Sequence, residues 1–125
     1  MKKKFFFLLS AFTALLCLYS CTKDKTTAGV KVDCTGINDS TNTYTNNIKN
    51  NITDLYCNYA PCHDAGTASG GVNMSDYANV VNSMKNNNVI GALKGQVELM
   101  PKGGPALPDS LIKQLQCWQQ NGYPQ

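Results

Sequence analysis

The sequence contains no arginine, and lysine supplies all 11 of its basic side chains. Three of these lysines stand together at positions 2–4, in a segment that we expect the mature protein to lose. The remaining eight lysines equal the eight acidic residues in number, so the mature chain is predicted to be nearly neutral. Without a basic patch there is no surface for a phosphate backbone, and no nucleic-acid partner is expected.

A long hydrophobic run is also missing. The apolar stretch at residues 5–19 has 15 residues, whereas a membrane-spanning helix needs about 20. With three lysines before it and Ser20 after it, the stretch is typical of a signal peptide. Residues 18–21 resemble a bacterial lipobox, which predicts cleavage before Cys21 and acylation of Cys21. The alternative is an ordinary signal peptide cut near Ser20, with Cys21 incidental.

These signals divide the chain into three parts. Residues 1–20 form the predicted signal peptide of lipoprotein type. Residues 21–43 are polar and rich in Thr, Asn, Asp and Ser, which is typical of a flexible tether. Residues 44–125 form one small folded domain. We therefore expect a protein of the cell envelope, lipid-anchored to a bacterial membrane on its periplasmic or cell-surface side.

The folded part lacks the alternation of apolar and polar residues that marks β-strands, and it has no internal repeat. Apolar residues recur at helical spacing instead, which predicts an all-α domain. The three predicted apolar stripes are Tyr44, Ile48, Ile52 and Leu55, then Tyr77, Val80, Val81 and Met84, and finally Leu111, Leu115 and Trp118. Ser75 or Asp76 is expected to cap the second helix, while Pro108 begins the third and Gly122 ends it.

Apolar residues are few in residues 44–125. A core of this size often needs a disulfide, a metal or a large cofactor to be stable. Of the six cysteines, Cys17 is removed with the signal peptide and Cys21 is acylated. Export places the other four in a compartment that permits disulfides. Four thiols allow three pairings, or one disulfide with the second pair used elsewhere.

The only histidine of the chain directly follows one of these cysteines. Residues 57–64 read CNYAPCHD, so that Cys57, Cys62 and His63 form a C-x-x-x-x-C-H run. Covalent haem attachment uses C-x-x-C-H, in which two thiols reach the two vinyl groups and the histidine ligates iron. The two extra residues must then loop outward, and Pro61 assists by interrupting the helix. The alternative is a Cys57–Cys62 disulfide beside a surface histidine.

A second axial ligand to haem iron cannot be histidine here, since the chain has no other. Met100 is the candidate, because Pro101 and the two glycines that follow form a loop able to approach a flat cofactor closely. Met74 and Met84 are expected to fill the core. Lys102 is a more distant candidate.

At these residues the chain resembles small class I c-type cytochrome domains, particularly those of bacterial lipoproteins. The matching segments are CNYAPCH (57–63), GGVNMSDY (70–77), MPKGG (100–104) and LPDSLIKQLQCWQQNG (107–122). The resemblance spans residues 44–125. It implies that the first and last helices pack against each other beside one covalently bound haem c, with His63 and Met100 as iron ligands.

If Cys57 and Cys62 hold haem, Cys34 and Cys117 remain. A disulfide between them would join the end of the tether to the last helix, and the alternative is two unpaired thiols.

Two classes of function follow. The first is a membrane-anchored electron carrier, not an enzyme, that serves a redox partner protein or a membrane electron-transfer complex. The second is a cofactor-free interaction module held by two disulfides. In a variant of the first hypothesis the haem is kept but Met100 does not ligate the iron. The open position then binds a small gas or a peroxide.

Overall fold

The structure, a computed structural model, describes residues 31–125. The predicted signal peptide, its cleavage site and the predicted acylation at Cys21 lie outside the described residues. Between residues 31 and 125 the chain forms helices and loops, without a β-strand. The all-α prediction is therefore confirmed for this part of the chain, and none of its helices is long and apolar enough to span a bilayer.

The first helix, α1, has two parts. Tyr44–Thr53 is a π-helix, and Asp54–Tyr56 continues it as an α-helix. The side chain of Thr43 caps α1 by accepting a hydrogen bond from the amide of Asn46. The carbonyl of Thr43 accepts from both Asn47 and Ile48, the second being the i to i+5 bond of a π-helix.

A short 3₁₀ helix at Ser69–Gly71 and three α-helices follow. The α-helices are α2 (Tyr77–Asn86), α3 (Val89–Leu93) and α4 (Asp109–Gln120). Asp76 caps α2 through its side chain, and Asn88 caps α3 in the same way. The helix α4 begins immediately after Pro108, and Gly122 lies just beyond its end in the left-handed region, at φ +80°. The start signals of the second and third predicted helices, and the stop signal of the third, are thus confirmed.

The helices α1 and α4 are in contact, as the resemblance implies. Ile48, Ile52, Leu115 and Trp118 belong to the same buried core cluster. Aromatic side chains complete this cluster, since the ring of Trp118 lies 5.0 Å from that of Tyr123 and 6.2 Å from that of Tyr44. The indole of Trp118 and the amide of Tyr44 both donate to the carbonyl of Pro124, which ties the C-terminus to both helices.

The inward direction of one residue was predicted wrongly. Leu55 is 63% exposed, and Thr53 is buried in its place. The wide π-helical turns of α1 place more residues in each turn than an α-helix does, so the buried stripe shifts and reaches Tyr56 and Cys57 instead of Leu55. In α4 the predicted stripe is confirmed: Leu115 and Trp118 are buried, and the half-buried Leu111 packs against the core beside the buried Ile112.

The segment 32–43 lies along α4. The amide of Val32 donates to the side chain of Gln120, and the Nζ of Lys113 donates to the carbonyl of Thr35. Asn42 is almost fully buried and donates to the carbonyl of Gln114. The structure also joins Cys34 to Cys117 in a disulfide, with the two sulfurs 2.08 Å apart. Residues assigned to the tether from the sequence are therefore held against the domain.

Removal of this disulfide should lower stability strongly. A bridge across 83 residues contributes about 4.5 kcal/mol in the chain-entropy account. We expect the double variant Cys34→Ala, Cys117→Ala to lose about 3–5 kcal/mol in the free energy of unfolding, measured by urea denaturation. The matched control is Cys57→Ala, Cys62→Ala in haem-free protein, which removes two thiols without opening a covalent loop. Equal losses in both double variants would contradict the prediction.

Candidate cofactor site

The loop from Cys57 to His63 is closed by backbone hydrogen bonds. The amide of His63 donates to the carbonyl of Cys57 over 3.1 Å, and the amide of Cys62 donates to the carbonyl of Tyr59 over 2.7 Å. Tyr59, Ala60 and Pro61 are exposed, whereas Cys57, Cys62 and His63 are half-buried. The residues between the two thiols thus bulge towards solvent, while the two thiols and the imidazole stay together.

Cys57, Cys62 and His63 line one cavity together with Met100. The cavity has a volume of about 460 Å³, which lies within the range of small-molecule sites. Its remaining wall is mainly apolar and includes Val72, Met74, Val89, Leu93 and Val97. All four residues predicted to hold the cofactor are therefore brought to one place.

The imidazole of His63 is held in a defined orientation. Its Nδ1 lies 3.1 Å from the carbonyl oxygen of Val72. A carbonyl only accepts, so Nδ1 donates to it, and in the neutral ring Nε2 then has a free lone pair. Ligating histidines in proteins almost always make such a bond through the nitrogen that does not bind metal. His63 is thus prepared to ligate through Nε2.

The two thiols are free in the structure. Burial, and to a smaller extent the neighbouring Cys62, raises the pKa of Cys57 to about 12. The Cys57 thiol is therefore protonated at neutral pH, and its sulfur lies 3.9 Å from the carbonyl oxygen of Ile52. A hydrogen bond with Cys62 raises the pKa of the exposed Tyr59. The Cys57–Cys62 disulfide of the alternative hypothesis is not formed in the structure.

Met100 reaches the cavity from the long loop between α3 and α4. Its amide donates to the carbonyl of Ala92 over 3.1 Å, which attaches this loop to α3. The side chain packs against the hydrophobic core while lining the cavity. Lys102 also lines the cavity, but its ammonium is 2.6 Å from the carboxylate of Glu98. That hydrogen bond raises the pKa of Lys102, which favours the protonated form that cannot ligate a metal.

The other two methionines differ in position. Met84 is buried in the core and does not line the cavity. Met74 is equally buried, but it also forms part of the cavity wall. Its amide donates to the carbonyl of His63 over 2.7 Å, so the backbone of Met74 is hydrogen-bonded to that of the histidine.

Sequence reasoning missed the Val72 carbonyl and the contribution of α3. The carbonyl is a backbone group, so no residue type in the sequence indicates its role. Val89, Ala92 and Leu93 of α3 line the cavity, yet the pattern VIGAL suggests only a short turn of helix. Within residues 31–125, no three His, Cys, Asp or Glu side chains are grouped so that they could hold a bare metal ion.

Comparisons with protein-family models, with curated proteins and with solved structures find no match to this chain.

The raised pKa predicts how Cys57 reacts in protein made without haem attachment. Because only the thiolate is alkylated, its rate should rise about tenfold per pH unit between about pH 8 and pH 10, without a plateau. Peptide mapping by mass spectrometry after timed iodoacetamide treatment measures this rate separately from that of Cys62. A Cys57 rate that levels off near pH 9 would show an ordinary exposed thiol instead.

Proposed function

We propose that the protein is a membrane-anchored monohaem c-type cytochrome that transfers one electron at a time. The observation that carries the proposal is that Cys57, Cys62, His63 and Met100 line one largely apolar cavity. Two thiols, one imidazole with a free Nε2 and one thioether are the donor set that covalently bound haem requires. The residues present therefore fit this cofactor.

Cys57 and Cys62 would hold the cofactor through two thioether bonds. Each thiol adds across one vinyl double bond, with sulfur bonding to one carbon and the hydrogen to the other, so that no electron is gained or lost. This addition requires reduced thiols, and both are unpaired in the structure. The Cys34–Cys117 disulfide supports this assignment, because it pairs the other two cysteines of residues 31–125 and leaves Cys57 and Cys62 for the cofactor.

His63 and Met100 would supply the axial ligands. When bound, haem supplies a metal centre that is reversibly oxidised and reduced by one electron. His63 is oriented by the Val72 carbonyl, and Met100 is attached to α3 through Ala92. With both axial positions filled by the chain, no substrate would reach the metal, which favours a carrier over an enzyme. The apolar wall would exclude water and, with the thioether of Met100, raise the reduction potential.

The location and partners follow from the rest of the proposal. Acylation at Cys21 would hold the domain at a bacterial membrane in the cell envelope. Its partners would be a redox protein or a membrane electron-transfer complex. Tyr59 and Val97 are exposed hydrophobic side chains that line the cavity, and they would be available to contact such a partner.

Covalent attachment is tested by intact mass. The chain expressed with a haem-attachment system should gain the mass of one haem, and its visible spectrum should survive acid-acetone extraction. The variant Cys57→Ala, Cys62→Ala should lose both properties, while the matched variant Cys34→Ala, Cys117→Ala should keep them. Colourless wild-type protein made with the attachment system present, with Cys57 disulfide-bonded to Cys62, would overturn the proposal in favour of the interaction module.

Axial ligation by Met100 is tested with carbon monoxide. The reduced wild-type protein should not bind it, because the chain fills both axial positions. Met100→Ala should open one position, bind carbon monoxide without denaturation and show a lower reduction potential. Met84→Ala, which alters a buried methionine away from the cavity, should behave as wild type. Binding by the wild type would favour the open-site variant, and opening by Met74→Ala but not Met100→Ala would reassign the ligand.

A further inference from the structure

A buried hydroxyl on α2 contacts the backbone beside the candidate iron ligand. Ser83 is only 1% exposed. Its Oγ donates to the carbonyl of Asn73 over 2.9 Å and accepts from the amide of the same residue over 3.1 Å. One side chain thus satisfies both backbone polar groups of Asn73, which lies in a different segment of the chain.

Asn73 stands between the two residues that hold His63. The carbonyl of Val72 accepts from Nδ1 of His63 over 3.1 Å, and the amide of Met74 donates to the carbonyl of His63 over 2.7 Å. The backbone at Val72 is extended, so neighbouring residues present their polar groups in opposite directions. His63 consequently binds one edge of residues 72–74, and Ser83 binds the other.

From this arrangement we propose that Ser83 is a positioning residue for the His63 imidazole. The inference rests on the proposed function, because it concerns the ring that ligates iron. Without the hydroxyl, the amide and carbonyl of the half-buried Asn73 would lose their partner, and this loss would favour a shift of the segment towards water. The Val72 carbonyl belongs to that segment. Its displacement would release Nδ1 of His63 and with it the orientation of the ring.

The other anchors of the segment do not replace Ser83. The amide of Ser75 donates to the side chain of Asn73 over 2.9 Å, which fixes the turn after Met74. On the opposite side, the amide of Val72 donates to the carbonyl of Ser69 over a longer 3.2 Å. Neither bond holds the peptide groups on both sides of Asn73. Ser83 is the contact that ties them to a helix.

The test compares Ser83→Ala with Thr53→Ala in the full chain. Thr53 is a suitable control because it is 2% exposed and its hydroxyl donates to the carbonyl of Lys49 within α1, away from residues 72–74. In haem-free protein, ¹⁵N NMR at mildly alkaline pH should show His63 mainly with its proton on Nδ1. Ser83→Ala should shift the ring towards the form with the proton on Nε2, and Thr53→Ala should not.

In haem-loaded protein the readouts are different. Ser83→Ala should make the Nδ1 proton of His63 exchange with solvent about tenfold faster. It should also shift the reduction potential to a more positive value, because a weaker bond at Nδ1 makes the ligand less basic. Thr53→Ala should leave both values as in the wild type.

Wild-type values in Ser83→Ala, or the same changes in Thr53→Ala, would overturn the inference. Should Ser83→Ala fail to fold, amide exchange in the wild type decides. The amides of Asn73 and Met74 should then exchange as slowly as that of Leu115 within α4, and rates typical of an exposed loop would overturn the inference. Failure of the proposed function is distinct, since it would appear as protein without haem whose His63 still responds to Ser83→Ala.

Discussion

The hydrogen bond from the ring of His63 to the carbonyl of Val72 is the interaction on which the cavity depends. It joins the loop that follows α1 to the extended segment that precedes α2. The same bond fixes which ring nitrogen is left for a ligand. Because the amide of Met74 also binds the carbonyl of His63, the histidine is held through both its side chain and its backbone. A small domain thereby holds an imidazole of a loop in a defined orientation.

The need for such a bond follows from the size of the core. The buried cluster comes from short helices, one of only five residues, and a core this small contributes little stability beyond the entropy it must offset. Two additional supports compensate. The Cys34–Cys117 disulfide restricts the unfolded chain. In the proposed function, a cofactor bound in the cavity between the Cys57–His63 loop and α3 would contribute further apolar contacts.

The sequence predicted the positions and capping of the helices better than side-chain direction. Asp76 and Pro108 mark helix starts through local chemistry, which does not depend on the rest of the fold. Leu55 was misplaced because its direction depends on the i to i+5 bonds of α1, and helical periodicity assumes i to i+4. At the site, Cys57, Cys62 and His63 were found from their adjacency. The Val72 carbonyl and the Ser83 hydroxyl were not, because their roles arise from contacts between distant segments.

If the domain is anchored at Cys21, the disulfide also limits how far it can move from a bilayer. Cys34 lies 13 positions after Cys21, and a chain of that length extends at most about 45 Å. Were both the covalent link and the hydrogen bonds of residues 32–43 to α4 lost, a tether running to residue 43 would reach about 75 Å. If Cys21 carries the lipid and the domain carries electrons, as proposed, this attachment would confine electron exchange to a thin layer next to the membrane. Only acceptors that stand within that layer would be served.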